Sequence, residues 1–140
     1  MSGATPPEPG GDAPVTGDAP IVHLFVYGTL RPGDVRWTVL ERFVADDGVD
    51  DHVTGDLFDT GLDYPAAVFG GVGRILGRTY ALRADVLDEA LSVIDEEEDT
   101  VLGLYRRVSL MTGRGRRAWA YEYGDGLTLT PIASGDWFDR

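Results

Sequence analysis

Two strand-like runs near the C-terminus, Tyr105 to Met111 and Arg117 to Tyr123, are joined by Thr112-Gly113-Arg114-Gly115. So short a connection carrying glycine marks an antiparallel hairpin. A chain built around it must bury one face of a sheet, and the rest of the sequence supplies candidates. Ile21-Val22-His23-Leu24-Phe25-Val26-Tyr27 is β-branched and aromatic, as a buried strand is, and Gly28 ends it. Val53, Gly55, Leu57 and Phe58 alternate with polar partners. Asp63-Tyr64-Pro65 reads as a turn, Ala66 to Phe69 as a short extended piece, and Gly73 to Leu82 as another strand. Gly124-Asp125-Gly126 is a further turn, leading to Leu127-Thr128-Leu129-Thr130.

Helical spacing occurs twice. Asp34 is placed to cap a short helix through Val35, Trp37, Val39, Leu40 and Phe43. Acidic, Gly-containing sequence at 45–51 then reads as a loop that extends to His52. Asp85 is placed to cap a second helix, in which Val86, Leu87, Ala90, Leu91 and Ile94 share one face. Six strands and two helices with late hairpins predict a single α+β domain over 21–140 with a mixed, mainly antiparallel sheet. Residues 1–20 hold five of the eight prolines and offer almost nothing to bury. They are expected to be a disordered tail.

The chemistry open to such a chain is narrow. Cysteine is absent, which removes disulfides and a cysteine nucleophile. All 12 basic residues are arginine, so Schiff-base chemistry through lysine is absent too. His23 and His52 are the only histidines. His23 reads as a structural or surface residue of the first strand, and two histidines so far apart make a poor zinc site. The formal net charge of −12 repels nucleic acid and anionic lipid. The single basic cluster, Arg114, Arg116 and Arg117, lies at the hairpin tip. No apolar run reaches the ~20 residues of a membrane span, and the N-terminus lacks a secretory pattern. A cytoplasmic location is the expectation. Neither a P-loop nor a Gly-x-Ser-x-Gly elbow is present. What remains is chemistry by carboxylate, tyrosine, arginine and backbone donors.

Two features can carry it. Five acids, Asp95 to Asp99, end the second helix, where the macrodipole disfavours negative charge by about 0.3–1 kcal/mol per nearby acid. Acidic runs are usually solvated surface. The functional alternative is that one acid turns inward, with its pKa raised by like charges, the helix end and burial. Helical spacing selects Glu98, which stands i+4 from Ile94 and continues the apolar stripe, while Glu96 and Glu97 point away. The second feature is Tyr27-Gly28-Thr29-Leu30, between the first strand and the first helix. It is either an ordinary tight turn or a nest of backbone N–H groups that holds an anion. Tyr105 is a lesser candidate for the same pocket, because a buried tyrosine needs a hydrogen-bond partner; a plain core position is the alternative.

The strings Phe25-Val26-Tyr27-Gly28-Thr29-Leu30-Arg31-Pro32-Gly33, Ile94-Asp95-Glu96-Glu97-Glu98, Tyr105-Arg106-Arg107 and Pro131-Ile132-Ala133-Ser134-Gly135-Asp136-Trp137 occur in this order. In this combination the chain resembles the γ-glutamylcyclotransferase-like family, with its γ-glutamylamine cyclotransferase and avirulence-induced-gene branches. The resemblance spans Phe25 to Trp137, with Ile94 where the motif has leucine. It implies a compact, barrel-like sheet with flanking helices. It also implies that Glu98 is catalytic and that Tyr27, Gly28, Thr29 and Leu30 bind the glutamyl head of the substrate. The implied reaction releases an amine and 5-oxoproline from a γ-glutamyl amide, with no metal or cofactor. Relatives carry asparagine or histidine where this chain has Arg36 and Trp37, so the resemblance constrains the reaction more than the substrate. The competing expectation is a non-catalytic module that binds a small ligand or a protein on the same scaffold.

Overall fold

The computed structural model describes residues 20–27, 37–61, 65–98, 105–124 and 126–139. The expected tail, apart from Pro20, lies outside the described residues, as do the Asp34 cap, Gly28, Thr29, Leu30 and Arg36. Among the described residues the elements run β1 (His23–Val26), α1 (Trp37–Glu41), β2 (Val49–Asp59), β3 (Pro65–Ala81), α2 (Leu87–Glu97), β4 (Tyr105–Met111), β5 (Arg117–Tyr123) and β6 (Thr130–Ile132). Short 3₁₀ turns cover Ala84–Val86 and Trp137–Asp139.

All six strands join one sheet in the order β4-β5-β1-β3-β2-β6. Only β1 and β5 are parallel, through Leu24 opposite Trp119; the other neighbours are antiparallel. The sheet curls into a half-barrel, with β4 and β6 as its edges. Successive residues of β1 face opposite sides. Leu24 and Val26 join Leu40, Phe43, Tyr80, Ile94 and Tyr121 in a core under the helices. Phe25 and Tyr27 join Val53, Ile75, Ala120 and Trp137 in a second core on the other face.

The β4–β5 hairpin has the expected limits. Several other expectations change. The two extended pieces at 66–69 and 73–82 belong to one long β3 with a bulge. Thr54 pairs with Arg74 but Gly55 pairs with Phe69, so residues 70–73 loop out of the ladder. Gly70 and Gly71 adopt φ of 101° and 76°, a region open to glycine that lets the strand resume its pairing.

Of the acidic stretch at 45–51 expected to be a loop, 45–48 lie outside any strand but 49–51 start β2, and His52 lies within that strand. Partners distant in sequence make this possible. Arg78, opposite Asp50, bonds it at 2.8 Å, and buried Asp51 accepts a hydrogen bond from the Thr79 hydroxyl at 2.8 Å. Asp85 does not cap α2. Its carboxylate pairs with Arg83 at 3.0 Å within a 3₁₀ turn, and α2 begins at Leu87. Phe43 falls beyond the end of α1 but is still buried. His23 bonds Arg116 through its ring nitrogen at 2.9 Å.

Candidate active site

The candidate residues meet where β1 and β5 end, β4 begins and α2 terminates. Tyr27 follows β1 directly. Its hydroxyl donates to the Tyr121 carbonyl at 2.5 Å, a contact between residues 94 positions apart. Its ring stands edge-on to Phe69, with centroids 6.2 Å apart. Burial pushes the Tyr27 hydroxyl well above the ordinary tyrosine range, and the charges of Glu98, Tyr105 and Glu122 act in the same direction. Tyr27 is therefore a fixed hydrogen-bond donor and not a proton acceptor at neutral pH.

Helix α2 delivers the carboxylates. Ala90, Leu91 and Ile94 form its buried stripe. The Glu98 N–H still donates to the Ile94 carbonyl at 2.9 Å, so helical geometry carries through to Glu98 and places it one turn beyond Ile94. Glu98 is half-buried and Glu96 exposed, as expected, but Glu97 is half-buried too. The expectation that both neighbours point away thus holds for Glu96 only. The Glu98 charge acts on two hydroxyls, Tyr27 from β1 and Tyr121 from β5.

Asp95 anchors the same turn. Its Oδ1 accepts from the Tyr121 hydroxyl at 2.6 Å and from Arg107 Nε at 2.9 Å. Arg107 and Tyr121 face each other across β4 and β5, so one carboxylate oxygen spans the pair. The Arg107 guanidinium also lies 4.4 Å from the centroid of the Trp119 ring. Burial drives the Tyr121 hydroxyl far above its usual range, and the bond to Asp95 and the charges of Asp95 and Glu98 add to this, against Arg107.

On the opposite face of the hairpin, Glu122 accepts from the Phe69 N–H at 3.0 Å and pairs with Arg106 at 2.9 Å. This ties the first half of β3 to β5. Tyr105 is buried, and its hydroxyl donates to the Pro65 carbonyl at 2.7 Å, tying the start of β3 to β4. It is thus both a core residue and a neighbour of Tyr27. Trp37, one of the two unusual residues, opens α1 and packs on Tyr80 with centroids 5.4 Å apart. A cleft of about 330 Å³ opens elsewhere, between β2, β3 and β6, beside Asp56, Phe58, Arg74 and Ile132. It includes none of Tyr27, Glu98 or Tyr105. Among the described residues no three histidine or acidic side chains converge as a metal site.

A family model described as gamma-glutamyl cyclotransferase, AIG2-like matches residues 24–139. The chain belongs to this family. A candidate γ-glutamylcyclotransferase of Halalkalibacterium halodurans is 32% identical over 91 residues, covering 63% of this chain and 82% of that one. An uncharacterized protein of Pyrococcus horikoshii has a crystal structure with a TM-score of 0.64 and 28% identity, covering 83% of this chain and 89% of that one. A solution structure from Arabidopsis thaliana shares the fold at 24% identity and a TM-score of 0.58, covering 88% and 73%.

Within the family frame, the structure brings together Tyr27, Glu98 and Tyr105. Asp95, Arg107, Tyr121, Glu122 and Phe69 join them, and sequence reasoning had assigned no role to any of these five. Arg107 and Tyr121 carried a faint signal, since a seven-residue hairpin with a known turn sets them opposite each other. Asp95 had none, because its partners lie on other elements. No helix among the described residues is long and apolar enough to cross a membrane.

Proposed function

We propose that this chain converts a γ-glutamyl amide into 5-oxoproline and a free amine by intramolecular aminolysis, with Glu98 as the proton shuttle. Glu98 takes a proton from the α-ammonium of the substrate. The freed amine attacks its own γ-carbonyl carbon, and the new C–N bond closes a five-membered lactam. The attacking nitrogen gives up a second proton as the old γ C–N bond breaks, and Glu98 relays both protons to the leaving group, which departs as an ammonium, so protons and electrons balance without a redox partner. Backbone N–H groups of Gly28, Thr29 and Leu30 hold the α-carboxylate or the developing oxyanion. Tyr27 and Tyr105 contribute to the same pocket. Folding the amine onto the carbonyl supplies proximity, worth up to ~7–11 kcal/mol in favourable cases.

The observation that most supports this reading is the half-buried Glu98 one turn beyond Ile94, with its charge felt by the buried hydroxyls of Tyr27 and Tyr121. A carboxylate among acids and low-dielectric tyrosines is suited to carrying a proton near neutral pH. A panel of γ-glutamyl amides with amino-acid, peptide and polyamine leaving groups, assayed for 5-oxoproline, tests it directly. Release from at least one amide is expected. Binding of the amides without any release would instead favour a ligand-binding module on this fold.

A further inference from the structure

We infer that Asp95 is a positioning residue that fixes the last turn of α2, and with it Glu98, against the β4–β5 hairpin. The inference deepens the proposed role of Glu98 and rests on it. Asp95 stands three residues before Glu98, on the same turn. A helix end is the part of a helix most free to fray. Here the macrodipole and the neighbouring acids both work against an ordered acidic end. Something must hold it, and the geometry supplies the clamp. A single oxygen of Asp95 takes a charged bond from Arg107 at 2.9 Å and a short bond from the Tyr121 hydroxyl at 2.6 Å.

Both partners are themselves immobilised. The Arg107 guanidinium packs on the Trp119 ring, and the main chain of Tyr121 receives the Tyr27 hydroxyl. A continuous chain of contacts therefore runs from Arg107 through Asp95 and Tyr121 to Tyr27. It links the helix that carries Glu98 to Tyr27, the residue that follows β1. An apolar residue at position 95 could fill the space but could not set the direction of the helix end, because only a directional bond to two donors does that.

The Glu98 charge reaches the hydroxyls of Tyr27, just after β1, and Tyr121 of β5; the other groups acting on these two are Tyr105 and Arg107 of β4, Glu122 of β5 and Asp95 of α2, and Glu97 precedes Glu98 on the helix. Replacing Asp95 by asparagine removes one negative charge from this group and leaves Arg107 less compensated. Both changes favour ionised Glu98.

The test uses the full chain with ¹³C-labelled glutamate. The ionisation of Glu98 is followed by NMR in the wild type, Asp95→Asn and Tyr121→Phe, beside steady-state kinetics on a turned-over γ-glutamyl amide. Asp95→Asn should lower kcat about 10–100-fold with little change in KM, as a misplacement near 1 Å does. It should also move the Glu98 titration, and the acid limb of kcat/KM, to lower pH. Tyr121→Phe keeps the Asp95 charge but loses one donor, so kcat should fall several-fold while the Glu98 signal changes position. A purely structural Asp95 would lower thermal stability but leave kcat in Asp95→Asn, and the Glu98 titration in the charge-preserving Tyr121→Phe, unchanged. That result, or wild-type kcat in Asp95→Asn, overturns the inference. If Asp95→Asn fails to fold, an unchanged Glu98 signal in Tyr121→Phe overturns it. Retained turnover in Glu98→Gln would sink the role of Glu98 instead, and the NMR titration would still decide whether Asp95 positions it.

Discussion

The two ends of the β4–β5 hairpin use carboxylates in opposite ways. At the tip, Asp51 of β2 is 6% exposed and surrounded by donors. The His52 N–H, the Thr79 hydroxyl and the Arg114 N–H reach it at 2.8, 2.8 and 3.1 Å. Burial alone would raise its pKa, but these bonds and one from the Thr112 side chain outweigh burial and hold the carboxyl below its usual range. The Gly113 N–H to the His52 carbonyl, at 2.8 Å, completes the clasp. At the base of the hairpin, Asp95, Glu98 and Glu122 face buried tyrosine hydroxyls, whose pKa values rise instead. A carboxylate saturated with donors fastens an edge and stays ionised. A group of carboxylates around buried phenols instead raises the pKa values of those phenols and keeps their hydroxyls protonated as donors.

The contrast predicts a double dissociation. Glu98→Gln should lower turnover of a γ-glutamyl amide about 10²–10⁴-fold, the usual worth of a general base, without changing the melting temperature. Glu96→Gln, at an exposed position, should change neither. Near-wild-type turnover in Glu98→Gln would end the proposed mechanism.

Asp51→Ala should do the reverse. It strands several buried donors at a cost of about 2–3 kcal/mol, which lowers the melting temperature by roughly 10 °C, while kcat remains that of the wild type. An activity loss in a folded Asp51→Ala protein would show that the tip and base are not independent.

The pH dependence sharpens the same point. A folded-state pKa below the unfolded value near ~3.9 means that Asp51 contributes stability above that pH, which is lost as pH falls through the folded value. The stability gap between the wild type and Asp51→Asn, read from urea denaturation, should be constant from neutrality to about pH 5 and shrink below about pH 4. A gap unchanged at pH 2 would mean that the asparagine, not the lost charge, is responsible.

The smallest effect belongs to the neighbouring residue. Asp50 bonds Arg78 at 2.8 Å, but its side chain is 79% exposed. Asp50→Asn should cost about 0.5 kcal/mol or less by denaturant titration. A cost like that of Asp51→Ala would show that burial is not what separates the two aspartates.

The sequence by itself determined whatever depends on neighbours along the chain. Glycine chemistry and strand composition placed both hairpin strands, and helical spacing put Glu98 one turn beyond Ile94, at the end of α2. A set of short strings in a fixed order carried the family resemblance. Local reasoning failed where a partner came from far away. Asp50, Asp51 and His52 read as loop because aspartates disfavour strands, yet Arg78, Thr79 and the hairpin tip supply what those aspartates need. Asp85 sits where a cap would, but Arg83, two residues before it, takes its carboxylate instead. Only the tertiary structure decided that Asp95 faces Arg107 and Tyr121, that Tyr27 reaches Tyr121, and that Phe69 comes to Glu122. The first two depend on sheet order, and the third also on the β3 bulge. Those are set by which strands bury their apolar faces together, a global outcome that no local spacing encodes.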